Sequence, residues 1–92
     1  MNIKIDKQFE KDLRKSNLKT QTIEKLFNFV SLKSQKIELP PEAKDHNLKG
    51  EWQDTREFHL SGDLLVIYQI DEENQILKLL RIGTHSQLFK KF

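Results

Sequence analysis

The chain has no cysteine, which excludes a disulfide framework and any thiolate metal site and leaves packing alone to hold the fold. Three glycines and two prolines in 92 residues leave no glycine-rich phosphate loop and no proline-rich linker. No apolar run approaches the ~20 residues of a membrane span, and the N-terminal MNIKIDKQF lacks the apolar core of a signal peptide. The expectation is a soluble cytoplasmic protein with no membrane attachment. Charge of one sign is also scarce. Sixteen Lys and Arg oppose fourteen Asp and Glu, a net of +2, so a polyanionic partner is only mildly favoured. Lys4, Lys7, Lys11, Arg14, Lys15, Lys19 and Lys25 crowd the first quarter, the pattern of an ordinary solvated helix face.

A chain of this length makes one domain, residues 1–92, which buries somewhat over ~60% of its unfolded surface. Ile3 and Ile5 alternate with polar residues as in a short strand, and Asp6 is placed to cap a following helix that carries Phe9 and Leu13 on one face. Ser16 or Asn17 breaks this helix and caps the next. There Ile23, Leu26, Phe27 and Val30 form the core-facing stripe. Pro40-Pro41 then forces a loop, which carries His46. From Arg56 the period changes to two, with Phe58 and Leu60 on one side and Glu57 and His59 on the other. Ser61-Gly62 turns the chain into an apolar strand over 64–70, and a polar turn leads into a last strand over 76–82. Simple alternation puts Arg81 on the face of Leu77 and Leu79, and Gly83 ends that strand. The fold class is α+β: β-α-α-β-β-β, with two N-terminal helices packed on a mainly antiparallel twisted sheet. Both faces of the long strands are largely apolar, so the sheet is expected to be covered on more than one side.

All three histidines, His46, His59 and His85, fall in the second half, within KDHNLKGEW, REFHLSGDLLVIY and RIGTHSQLF. These segments resemble the signature segments of the YafQ-type toxins in the RelE/ParE superfamily of bacterial toxin-antitoxin systems. The histidine spacings of thirteen and twenty-six residues and the closing GTHSQLF carry the resemblance. It implies a RelE-like fold, a toxin that cleaves mRNA in the ribosomal decoding site, and a cognate antitoxin that silences it. The functional set it implies is His46, His59, Asp63, Arg81, His85 and Phe89. In two places the pattern departs: Leu64 stands where relatives often carry tryptophan, and Ala43 where some carry an aromatic.

The same residues make chemical sense on their own. Cleaving RNA through its 2′-hydroxyl needs a base for that proton, a cation for the phosphorane and an acid for the departing 5′-oxygen, and it needs no cofactor. Histidine suits the proton transfers because its unperturbed pKa lies near ~6.5. His85 is the candidate acid, and Asp63 helped by His59 the candidate base. Arg81 offers a planar fork to phosphate oxygens, His46 can orient the phosphate, and Phe89 can stack a base. Lys44, Lys90 and Lys91 join Phe89 as candidate substrate contacts. Each residue also has a plainer role open to it. Asp63 serves equally well in the turn after Gly62, Arg81 could pair with Glu57 across the sheet, Phe89 could anchor the tail, and Trp52 reads mainly as packing beneath the loop. A zinc site of the three histidines with Asp63 is chemically acceptable, but no HxH, HxxxH or HExxH pair supports it. Two functions of other classes stay open: a non-catalytic ParE-like inhibitor of DNA gyrase, and a plain protein-interaction module.

Overall fold

The computed structural model describes residues 1–89. The chain opens with strand β1 (Asn2–Ile5), helix α1 (Lys7–Lys15) and helix α2 (Thr20–Ser34). Asp6 caps α1 as its composition requires, its carboxylate accepting from the Gln8 amide at 3.0 Å. Ser16 ends that helix. The start of α2 falls later than the polar pair 16–17 suggests: Lys19 stands at its N-cap, with no side-chain hydrogen bond to replace the expected cap.

The buried stripe of α2 is Leu26, Phe29 and Val30. Phe27, expected in the core, is 69% exposed, and Ile23 is 36% exposed. Both choices satisfy helical spacing. The observed one is turned about the helix axis so that Phe29 meets Phe58 edge-on, ring centroids 5.6 Å apart, a contact with a long-range partner that local periodicity does not reveal. Leu13 of α1 is likewise more exposed than its spacing to Phe9 implies.

After α2 come a 3-10 turn at Pro41–Ala43, strand β2 (His46–Asn47), a second 3-10 turn at Gly50–Trp52, then β3 (Arg56–Ser61), β4 (Leu64–Asp71), β5 (Ile76–Thr84) and helix α3 (His85–Leu88). The sheet order is β1-β5-β4-β3-β2. All ladders are antiparallel except β1 with β5, which is parallel. The α+β architecture is as expected, with two additions. The segment around His46 is a two-residue edge strand rather than loop, and the terminal segment closes as a short helix. β5 also runs through Gly83 to Thr84. Glycine suits the position because a Cβ would lie 2.9 Å from Gln87 Oε1 and 3.2 Å from Leu88 Cδ2, so a side chain there would displace the two side chains by which α3 meets the strand. Gly62 has φ +51°, the left-handed conformation that the β3–β4 turn uses.

The two faces of the sheet are unequal. One carries Phe58, Leu60, Val66, Tyr68, Leu77, Leu79 and Ile82 against Phe9 of α1 and the buried stripe of α2. The other holds a smaller cluster of Leu65, Ile67 and Leu88, bordered by Leu48, Trp52, Leu80 and Phe89. Among the described residues this second face is covered by the 3-10 turn at Gly50–Trp52 and by α3, which leave Leu65 and Ile67 fully buried at its centre. No long helix lies on it among those residues, and in that sense it is the open face.

Candidate active site

The strand register decides which polar groups reach the open face. Glu57 and His59 pair with Ile67 and Leu65, so both share that face, as alternation predicts. Arg81 does not follow its expected parity. Tyr68 pairs with Leu79 and Ile67 with Arg81, which leaves Leu80 as an extra residue in the ladder. This bulge flips the strand, so Arg81 stands opposite Ile67 rather than with Leu77 and Leu79. His46 pairs with Glu57 at the other edge. One row across the open face therefore reads His46, Glu57, Ile67, Arg81, spanning about 14 Å at the usual strand spacing. A second row, two residues nearer the β3–β4 turn, reads His59, Leu65, Gly83.

Asp63 lies in that turn and is exposed. Leu64 pairs with Thr84, so Asp63 and His85 are the first residues beyond that pair on their two chains. The register thus brings the candidate base and acid to the same end of the sheet. His85 begins α3, which Thr84 starts through a capping box: the Gln87 amide donates to Thr84 Oγ1 at 3.3 Å, and the Thr84 amide to Gln87 Oε1 at 2.9 Å. The same turn places Phe89 beside His85, ring centroids 4.7 Å apart and tilted by 39°. Phe89 also meets Trp52 edge-on at 6.1 Å. Half-buried in this way, Phe89 both packs the tail and presents a ring next to His85, and Trp52 has the packing role its position beneath the loop suggested.

His46 is exposed, but both ring nitrogens are engaged. Nδ1 donates to the Lys44 carbonyl at 2.6 Å, and Nε2 lies 3.0 Å from Glu57 Oε1. Both partners offer acceptor oxygens to the ring. Glu57 is 5% exposed, and its Oε2 has no hydrogen-bond partner among the described residues. Leaving a buried carboxylate oxygen bare costs on the order of 1–3 kcal/mol, a cost that natural folds seldom keep without use. Glu57 was weighed from sequence only as a partner for Arg81. Ile67 stands between those two residues, so that pairing does not form.

Arg81 is held instead by Asp12 of α1. Its Nε donates to Oδ2 at 2.7 Å and its Nη2 to Oδ1 at 3.2 Å, while the Ile82 amide also donates to Oδ2, at 3.1 Å. β1 ends at Ile5, opposite Leu79, and the bare edge of β5 beyond it is what Asp12 covers. Burial pushes the Asp12 carboxyl up, but the hydrogen bonds from Arg81, Gln8 and Ile82 outweigh it and bring it below the ordinary 3.8. Two of the five guanidinium N–H groups are used. The rest can meet a phosphate, with the plane of the fork already set.

The remaining candidates fall out as follows. Lys44 is exposed and left-handed, φ 49°, and its carbonyl turns to His46. Ala43 is wholly buried and Leu64 packs on the helix-side core, so neither position faces the open side. Lys90 and Lys91 lie outside the described residues. No group of three or more His, Asp or Glu side chains is set to hold a metal among the described residues. The pair His46 and Glu57 offers two donors, short of the three or four protein ligands that a zinc ion takes.

With this geometry the family can be tested. Residues 1–90 match the YafQ family, bacterial toxins of type II toxin-antitoxin systems. The chain belongs to this family. The mRNA interferase toxin YafQ of Escherichia coli K12 is 31% identical over 83 residues, covering 89% of this chain and 88% of that protein. The crystal structure of a metal-bound toxin from Helicobacter pylori superposes with a TM-score of 0.85 at 40% identity, covering 96% of this chain and 98% of that one. YafQ in the E. coli DinJ-YafQ toxin-antitoxin complex superposes with a TM-score of 0.80 at 30% identity, covering 96% of each chain. The YafQ likeness is thus a property of the whole fold and not only of the three histidine segments.

Proposed function

We propose that this YafQ-family toxin is a metal-independent endoribonuclease that cuts mRNA on the ribosome in the cytoplasm, and that a cognate antitoxin silences it. The observation that carries this reading is the open sheet face. It gathers a buried carboxylate with a bare oxygen, two histidines and an oriented arginine, and His85 stacks on Phe89 at its end. The YafQ relative named an mRNA interferase and the toxin-antitoxin complex of matching fold support the substrate and the partner.

In the reaction, Asp63 assisted by His59 takes the 2′-hydroxyl proton, and the 2′-oxygen attacks the adjacent phosphorus. Arg81 turns its free N–H groups to the equatorial oxygens and offsets the charge that develops there. His85 delivers a proton to the departing 5′-oxygen. Glu57 and the Lys44 carbonyl hold the two ring nitrogens of His46, and His46 polarises the phosphate from the opposite edge by exchanging one of these contacts for the substrate. Phe89 supplies a ring for a base, and Lys44 a charge for the backbone. The products are a 2′,3′-cyclic phosphate and a 5′-hydroxyl.

The test is cleavage of end-labelled mRNA by purified protein, free and on programmed ribosomes, after exhaustive chelation. Cleavage leaving a 2′,3′-cyclic phosphate, or the 3′-phosphate from its hydrolysis, is expected. A protein that cuts nothing in either form while blocking DNA supercoiling would be a gyrase inhibitor and not a nuclease.

A further inference from the structure

His46 rides on a strand of two residues at the edge of the sheet, too short to hold a side chain by its ladder alone. Its neighbours do the holding, from the other face. Successive residues of a strand point to opposite sides, so Asp45 and Asn47 turn toward the helices while His46 turns toward Glu57. The Asp45 carboxylate accepts from the Tyr68 hydroxyl of β4, from Arg56 Nε of β3 at 3.3 Å and from Lys33 Nζ of α2 at 3.0 Å. Arg56 also donates from Nη1 to Asn47 Oδ1 at 2.8 Å and from Nε to the Tyr68 hydroxyl at 3.0 Å. One guanidinium therefore grips the residues on both flanks of His46. The Lys44 carbonyl takes the imidazole Nδ1, which fixes ring rotation as well.

From this geometry we infer that Asp45, through Arg56 and Tyr68, is a positioning residue that presents His46 to Glu57 and the scissile phosphate. The inference rests on the nuclease reading for its effect on rate, but not for its effect on the ring. Arg56 and Tyr68 pair with each other on the helix side of the sheet, away from Glu57. The whole influence of Asp45 passes through the backbone of residues 45–47. A displacement of about 1 Å at a group that meets the reacting phosphate can lower the rate on the order of 100-fold.

The experiment is a double-mutant cycle with an independent view of the ring. Asp45→Asn and Tyr68→Phe are each made alone and on a His46→Ala background, and single-turnover cleavage of mRNA is measured beside the imidazole nitrogen resonances of His46. Either substitution alone should slow cleavage about tenfold or more and shift or broaden the His46 nitrogens. On the His46→Ala background it should slow cleavage no further. Equal losses on both backgrounds would overturn the inference, since Asp45 would then act on the fold at large. Unchanged His46 resonances would also overturn it. Tyr68→Phe removes one oxygen from a wholly buried ring and decides the matter if Asp45→Asn fails to fold. If the wild-type protein cuts no RNA, the nuclease reading falls while the resonances still decide the positioning.

Discussion

Asp45 and Glu57 are carboxylates at the same corner of the sheet, with side chains 13% and 7% exposed, and they differ in almost everything else. Asp45 faces the helices and meets a lysine, an arginine and a phenol. Glu57 faces the open side with one partner on Oε1 and, among the described residues, none on Oε2. Burial is nearly equal, so burial cannot be what separates them. Satisfaction is. Burial pushes the Asp45 carboxyl up, and the hydrogen bonds from Tyr68 and Lys33 more than reverse this and leave it below the ordinary 3.8. Its neighbour Tyr68 is pushed well above an ordinary phenol by burial and by that same carboxylate. A group so well matched stabilises a fold, whereas a group left half matched adds little to it.

The contrast predicts that losses on the open face appear in rate alone, whereas losses on the covered face appear in stability and, at Asp45 and Tyr68, in rate as well through His46. The largest effect is expected from His85→Ala, which should slow cleavage by about 10²- to 10⁴-fold with an unchanged melting temperature, read by single-turnover kinetics beside thermal unfolding. A melting temperature that falls with activity would move His85 to the structural side. Arg81→Lys should slow cleavage about 10- to 100-fold, since an ammonium cannot serve both Asp12 and a phosphate as the fork does. Full activity would leave Arg81 a tether for α1 alone. Glu57→Gln should cost roughly tenfold in rate while the melting temperature holds, because the amide keeps the size of the carboxylate and an acceptor oxygen for His46. If the protein instead melts earlier, Glu57 is structural and the comparison fails at its centre.

Acid should sharpen the same line from the other side. The folded-state pKa of Asp45 lies below its ordinary value, so its stabilisation is present above about pH 4 and is lost as pH falls through the lower folded value. Asp12 behaves alike. Melting temperature against pH should therefore fall less steeply below about pH 4 in Asp45→Asn than in the wild type, and parallel curves would discard the role given to Asp45. The smallest effect is expected at Phe27, 69% exposed. Phe27→Ser should change stability by no more than about 0.5 kcal/mol, whereas Phe29→Ala should cost about 3–5 kcal/mol. The reverse order would mean that the buried face of α2 is misassigned.

These particulars also mark how far local sequence reaches. Alternation in β3 put Glu57 and His59 on one face and Phe58 and Leu60 on the other, and the structure agrees, because one strand's pleat is a local property. In RIGTHSQLF the end of the strand was readable to within a residue for the same reason, whereas the short helix over His85–Leu88 was not foreseen. Arg81 was put on the wrong face because one extra residue in a ladder depends on the partner strand, which no window on β5 contains. Asp12 and Asp45 passed unremarked as ordinary surface carboxylates. Their partners lie 69 and 70 residues away for Asp12 and as far as 23 for Asp45, and only the folded chain brings them together. Phe27 and Phe29 fit helical spacing equally well, and the choice fell to a contact with Phe58.

The extra residue at Leu80 makes arithmetic part of the inheritance of this chain. Removing it would alter no charge and no acid or base, and because Leu79 already pairs with Tyr68 and Arg81 with Ile67, it would close the ladder to simple alternation with Arg81 still opposite Ile67 and Ile82 still in the core. Position 80 should thus accept its own deletion as well as many apolar replacements, the signature of a residue that the ladder carries without a partner of its own.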